Sequence, residues 1–199
     1  MLTLYHFPNS RSSSIVWLLE ELEVPYETTI VDIRRRDGTG RRDPANPHPH
    51  GKVPVIAHDG KIVFEIAAIA LYLTDAFPEK NLGPRVGDAK RGEYLSWLAY
   101  RPGVLEPAIM MRFLKVAHVQ GAMAWAEAGE VENVLNDALS TAKYFLGDAF
   151  SAADITLGGA INFLMGSKLL NKTQVLQEYC ERITARPAYK RAIERDAQK

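Results

Sequence analysis

The chain has 199 residues, enough to bury the core of one large domain or two small ones, and its 24 basic and 24 acidic residues balance to a formal charge of zero. That balance gives no electrostatic reason to expect nucleic acid or an anionic membrane as a partner, and a single cysteine, Cys180, excludes an internal disulfide and suits a reducing compartment. No secretory signal is visible at Met1 to Pro8, and the longest apolar run, Ile66 to Leu73, falls far short of the ~20 residues that span a bilayer, so a soluble cytoplasmic protein is expected.

Leu2 to His6 reads as a short strand, and the serines Ser10, Ser12, Ser13 and Ser14 lead into a helix with Ile15, Leu18, Leu19 and Leu22 at helical spacing. Pro25 ends it. Tyr26 to Val31 is β-rich, whereas Arg34 to Lys52 is a polar stretch of Gly, Pro and basic residues that holds at most a short irregular helix. Val55 to Ala57 and Ile62 to Phe64 form a hairpin through the Asp59-Gly60 turn signal. From Glu65 a helix carries Ile66, Ile69, Leu73 and Phe77 on one face until Pro78. The order through residue 78 is β-α-β-(α)-β-β-α, an α/β domain.

Residues 79–87 lack periodicity and serve as a linker. The remainder, 88–199, reads as all-helical. A helix from Asp88 to about Tyr100 is broken or kinked at Arg101-Pro102-Gly103 before Leu105 to Phe113, and Val131, Val134, Leu135, Ala138 and Ala142 repeat at helical spacing. Ser151-Ala152-Ala153-Asp154 fits a capping box for a nearly uncharged helix of the kind buried at a domain centre. Asp154 is thus a folding residue.

Gly51-Lys52-Val53-Pro54-Val55-Ile56 puts a proline where a strand is about to start. Proline cannot donate to a ladder, and X-Pro is the bond that readily turns cis. Two readings stand with equal weight. Either this is an ordinary loop proline, or a cis Pro54 turns the backbone of Val53 outward to pair with an extended small peptide.

These motifs in this order resemble the cytosolic glutathione transferase family across essentially the whole chain, in a bacterial-type form. The matching residues are Asn9-Ser10-Arg11-Ser12, Trp17 to Leu22, Gly51 to Val55, Glu65 with Ala67 to Leu73, Phe145 to Asp148 with Phe150 to Ile155, and Arg186 to Tyr189. The resemblance implies a thioredoxin-like domain (β-α-β-α-β-β-α) followed by a helical domain, a homodimer, and a cleft that binds glutathione. It also implies that the cysteinyl part of glutathione pairs with Val53 beside cis Pro54, and that a serine after the first strand contacts the sulfur. Ser10 aligns best with that position and Ser12 second, with Tyr5 a weaker claimant. A hydroxyl donating to sulfur at a helix N-terminus favours the thiolate, which is the nucleophile. The serines equally suit capping of the first helix.

Glu65 is expected to meet the ligand's α-amino group, Lys52 or else His50 its glycyl carboxylate, and the N–H of Ile66 its γ-glutamyl carboxylate. Two departures bear on affinity: Ile66 stands where relatives carry a serine hydroxyl, and Ser14 where many carry arginine. Tyr100 and Met110 are candidates for an apolar co-substrate pocket, against the alternative that they are core or interface. His48-Pro49-His50 lacks further ligands at metal spacing, so no metal is expected. The arginines at 34, 35, 36, 41 and 42 read as a solvated loop near an anionic ligand. The function expected is a glutathione transferase that activates the thiol of glutathione, its co-substrate, against small electrophiles in detoxification. The alternative is a non-catalytic binding or scaffolding protein of the same fold with weak or no glutathione affinity.

Overall fold

The structure is a computed structural model and describes residues 1–197. The chain divides into two compact units, Met1–Lys80 joined by the segment that begins at Arg186, and Asn81–Ala185.

The first unit is built on a mixed sheet in the order β2-β1-β3-β4, with β1 Leu2–His6, β2 Glu27–Ile30, β3 Val55–His58 and β4 Lys61–Phe64. β1 runs parallel to β2 and antiparallel to β3, which pairs antiparallel with β4. The β3–β4 turn has positive φ at both Asp59 and Gly60, the backbone that a two-residue hairpin needs and that the Asp-Gly pair tolerates. In β1 the alternation buries Leu2, Leu4 and His6, so a histidine shares the apolar face with two leucines.

Helix α1, Ser13–Leu22, buries Ile15, Val16, Trp17, Leu18, Leu19 and Leu22. It ends at Glu23 in the left-handed conformation, ahead of Pro25. Helix α2, Ile66–Ala76, buries Ile66, Ile69, Ala70 and Leu73 as its spacing predicts. Between β2 and β3, where the thioredoxin-like order has a helix, the segment that holds at most a short irregular one holds none. Side chains there take the backbone donors that a helix would use. Asp32 accepts from the N–H of Ile33 and Arg41, Asp43 from those of Asp32 and Ala45, and Asn46 from that of His48.

The second unit is helical. Helix α3, Arg91–Tyr100, runs into a π-helical turn at Arg101–Leu105 and on into α4, Glu106–Leu114. The break expected at Pro102 is therefore a local widening, which absorbs a residue without an N–H. Helix α5, Ala128–Ser140, buries Val131, Leu135 and Leu139. A second π turn, Asp154–Gly158, feeds α6, Gly159–Gly166, and α7, Gln174–Thr184, follows. The capping box is formed: Asp154 accepts from the N–H of Ser151, and Ser151 Oγ accepts from the N–H of Ala153.

The final helix, α8, Pro187–Asp196, corrects the expected extent of the helical domain, because it packs on α1 in the first unit rather than among 88–199. The Tyr189 ring meets Trp17 edge-on with centroids 4.9 Å apart, and the Arg186 guanidinium clasps the Glu21 carboxylate through Nε and Nη2 at 2.6 and 2.7 Å. Glu20 likewise holds Arg191 and Arg195. Among the described residues no helix is long and apolar enough to cross a membrane.

Candidate glutathione site

Strand register gathers the candidate residues. Tyr5 lies opposite Val55, Val55 opposite Phe64, and His6 beside Ile30. The loop after β1, the stretch before β3 and the residue after β4 therefore all leave the sheet at one end, and α1 and α2 both start there. Two helix N-termini at one end of a sheet favour an anionic ligand.

The loop after β1 is tied down by hydroxyls. Asn9 turns it with φ 54°. Ser10 is half-buried, and its Oγ lies 2.7 Å from Ser12 Oγ. Ser12 is wholly buried. Its Oγ reaches His6 Nδ1 at 2.8 Å, accepts from the Phe7 N–H at 3.3 Å and donates to the Phe7 carbonyl at 3.2 Å. Of the two serines, Ser10 is therefore the more exposed, and Ser12 lies behind it. The backbone N–H groups of Ser13, Ser14 and Ile15 bond to the carbonyls of Ser10, Arg11 and Ser12, so the serine loop also serves as the first turn of α1.

The Val53-Pro54 peptide is cis, and Val53 is buried. Val53 lies two residues outside the β1–β3 and β3–β4 pairings, whose registers end at Val55. Lys52 is exposed, its carbonyl held at 3.0 Å by Asn46 Nδ2. Glu65 caps α2 with φ 68° and ψ 128°, a conformation that costs an L residue of order 1–3 kcal/mol and that persists where surroundings enforce it. Its exposed carboxylate lies 3.8 Å from Nε2 of the buried His48, whose Nδ1 accepts from the N–H of the exposed His50. Burial holds His48 below the ordinary histidine range, against the pull of Glu65. Ile66 is the first residue of α2, with its side chain turned into the core.

Tyr100 and Met110 belong to the second unit. Tyr100 is half-buried beside Trp97, with ring centroids 5.3 Å apart, and Met110 is exposed. Cys180 is buried in α7, which pushes its thiol up to about 12 and leaves it inert as a nucleophile.

Sequence reasoning missed His6 and Asp196. Asp196 is the last residue of α8. It accepts from the Asn9 N–H at 3.0 Å and lies 3.3 Å from His6 Nε2. Two signals were available: a histidine at the third inward position of β1, and an acidic residue continuing the buried Ala188, Ala192 stripe of α8 at i+4 spacing.

A family model for the glutathione S-transferase N-terminal domain matches residues 1–75. Glutathione S-transferase 3 of Schizosaccharomyces pombe is 30% identical over 172 residues, 77% of this chain and 70% of that protein. A disulfide-bond oxidoreductase of Escherichia coli, YfcG, is 27% identical over 207 residues, 97% of this chain and 94% of its own length. Among solved structures, the glutathione S-transferase of Actinobacillus pleuropneumoniae superposes with a TM-score of 0.82 at 26% identity, covering 98% of this chain and 93% of that one. A sphingomonad glutathione S-transferase complexed with glutathione gives 0.79 at 25% identity, covering 99% and 100%. With its thioredoxin-like sheet, its helical unit and these relatives, the chain belongs to the cytosolic glutathione transferase family.

Proposed function

We propose that this chain binds glutathione at the shared end of its sheet and activates the thiol for attack on small electrophiles. The observation that carries the reading is the arrival at that end of both the half-buried Ser10, on the loop after β1, and Val53, just outside the β1–β3 pairing, which ends at Val55. We read Val53 as the backbone edge to which an extended peptide adds as a strand, which brings its cysteinyl sulfur towards the start of α1. Glu65 then takes the α-amino group, the N–H of Ile66 at the head of α2 the γ-glutamyl carboxylate, and Lys52 the glycyl carboxylate.

A free thiol with a pKa of ~8.5 is only slightly ionised at neutral pH, and lowering that value by about two units takes roughly 2.7 kcal/mol. One charge-assisted hydrogen bond of about 1.5–3 kcal/mol from Ser10, with the dipole of α1 behind it, is of that size. The thiolate sulfur then forms a bond to the electrophilic carbon, and a halide or similar group leaves with its electron pair. The working form is a cytoplasmic homodimer engaged in detoxification, needing neither metal nor nucleic acid. Cys180, with its thiol raised to about 12, speaks against thiol-disulfide exchange through a protein cysteine.

Calorimetric titration with glutathione tests the reading. Saturable binding that weakens when glutathione is replaced by its S-methyl derivative supports a sulfur contact. Absence of binding leaves a scaffold of the same fold, the outcome that Ile66 in place of a serine would explain.

A further inference from the structure

Three buried or half-buried groups lie in series behind Ser10. Ser10 Oγ meets Ser12 Oγ at 2.7 Å, Ser12 Oγ meets His6 Nδ1 at 2.8 Å, and His6 Nε2 faces Asp196 Oδ1 at 3.3 Å. The last contact is off the hydrogen-bonding line, so both atoms are buried without a formed bond. A buried polar pair left short of its full hydrogen bonding is costly and calls for an explanation, of which a chemical role is one. His6 itself is 1% exposed, on the apolar face of β1.

The chain has a direction problem, because the Ser12 proton has three acceptors within reach: His6 Nδ1, Ser10 Oγ and the Phe7 carbonyl at 3.2 Å. A serine hydroxyl carries a single proton. If Ser12 donates to an unprotonated Nδ1 and Ser10 donates to Ser12, Ser10 has no proton left for a sulfur anion and offers only a lone pair. That arrangement accepts a thiol S–H. If instead Nδ1 bears a proton and donates to Ser12, Ser12 turns its own proton from the Phe7 carbonyl to Ser10, and the Ser10 hydroxyl is free to donate outward to a thiolate. The two hydroxyl orientations are exchanged by one proton arriving at His6.

Resting on the glutathione reading above, we infer that His6 is the base that receives the thiol proton, passed along the Ser10 and Ser12 hydroxyls, with Asp196 holding the imidazolium that results. The thiol proton moves to Ser10 Oγ, the Ser10 proton to Ser12 Oγ and the Ser12 proton to Nδ1. Three O–H or N–H bonds form as one S–H and two O–H bonds break, and net charge is unchanged. When the sulfur has bonded to carbon the proton returns along the same hydroxyls to solvent. Burial keeps His6 below the ordinary histidine range and hence neutral at rest, while Asp196 pulls the other way and steadies the charged form. Around the ring, β2 sets Ile30 beside His6, the loop before α1 brings Ser12, and α8 brings Asp196, which among the described residues is the charge acting on it. Arg35, stacked on the neighbouring Phe7 ring, is paired with Asp32. Ser10 touches the substrate sulfur. His6 and Asp196 act through it.

The test uses the full chain and glutathione itself. Nitrogen NMR of the His6 ring reports its protonation, and ultraviolet absorbance of the thiolate titrates the bound sulfur. In the unsubstituted protein the ring is expected to pass from neutral to doubly protonated as glutathione binds near pH 7. In His6→Gln and in Asp196→Asn the bound thiol is expected to titrate about one pH unit higher, a tenfold smaller thiolate fraction well below its pKa. Asp196→Asn keeps an acceptor for the Asn9 N–H, so it decides the matter should His6→Gln fail to fold. If glutathione binds but the ring stays neutral, or the thiol titrates unchanged in the folded variants, the relay is overturned and the proposed activity stands. If calorimetry finds no binding to the unsubstituted protein, the proposed activity falls and the relay with it.

Discussion

Two buried carboxylates, one in each unit, show how differently a fold can treat the same group. Asp154 is enclosed and fully answered: it accepts from the N–H of Phe145 and of Ser151, from the Ser151 hydroxyl and from the Tyr179 hydroxyl, all between 2.9 and 3.1 Å. Asp196, almost as deep, has the Asn9 N–H on one oxygen and a misaligned imidazole at the other. The saturated carboxylate fixes a helix start and has no capacity left for chemistry. The under-saturated one keeps a histidine within reach of charge. Hydrogen-bond satisfaction, more than burial, separates a carboxylate whose capacity is spent on the fold from one with capacity left over.

The sharpest way to break this comparison is Asp154→Ala. It strands several buried donors at once and is expected to cost about 3–5 kcal/mol in urea unfolding. Asp196→Asn in the same assay is expected to cost less than about 1 kcal/mol, since its amide oxygen can still accept from Asn9. Equal losses would abolish the distinction. Next in size, Ser10→Ala is expected to lower kcat/KM with a generic aryl halide by roughly 10–100-fold while moving stability by under about 1 kcal/mol. Undiminished turnover would remove Ser10 from its role.

Ile66→Ser works in the opposite direction. Restoring a hydroxyl at the head of α2 is expected to tighten glutathione binding by about tenfold in calorimetry, if the hydroxyl gains a charge-assisted bond to the carboxylate. The smallest effect is one of pH. His6 and His48 are both held below their ordinary value of 6.5, mainly by burial. The unfolded chain therefore takes up protons before the folded one does, and stability is expected to be full above pH 6.5 and to fall as pH drops below it. Asp196→Asn removes the charge that raises His6, so it should steepen the fall, as unfolding midpoints across pH 5–8 would show.

Local rules made much of the fold legible. The alternation of Leu2, Leu4 and His6, the Asp59-Gly60 turn and the Ser151–Asp154 box each operate within a few residues, and each appears in the structure as its chemistry dictates. What was hidden depends on distance. The π turns at Arg101–Leu105 and Asp154–Gly158 are slips in helical hydrogen bonding that no propensity encodes. The return of α8 to α1 rests on pairs such as Arg186 with Glu21, separated by 165 residues. At the candidate site, Ser10, Val53 and Glu65 were nominated by motif, but their common sheet end follows only from strand register. His6 was readable as an odd residue on an apolar face. Asp196 was readable as an acidic residue on a buried stripe, but its pairing with His6 was not, because an entire helical unit separates the two in sequence.

That separation has a consequence for biosynthesis. The Asn9 amide and the carboxylate that accepts from it are 187 positions apart. On the ribosome the sheet emerges early, yet its serine loop must wait for α8 before its last acceptor arrives, with the whole of Asn81–Ala185 translated in between. The domain that starts first is thus completed last, and a nascent chain halted within the helical unit carries a serine loop whose Asn9 amide still lacks its acceptor.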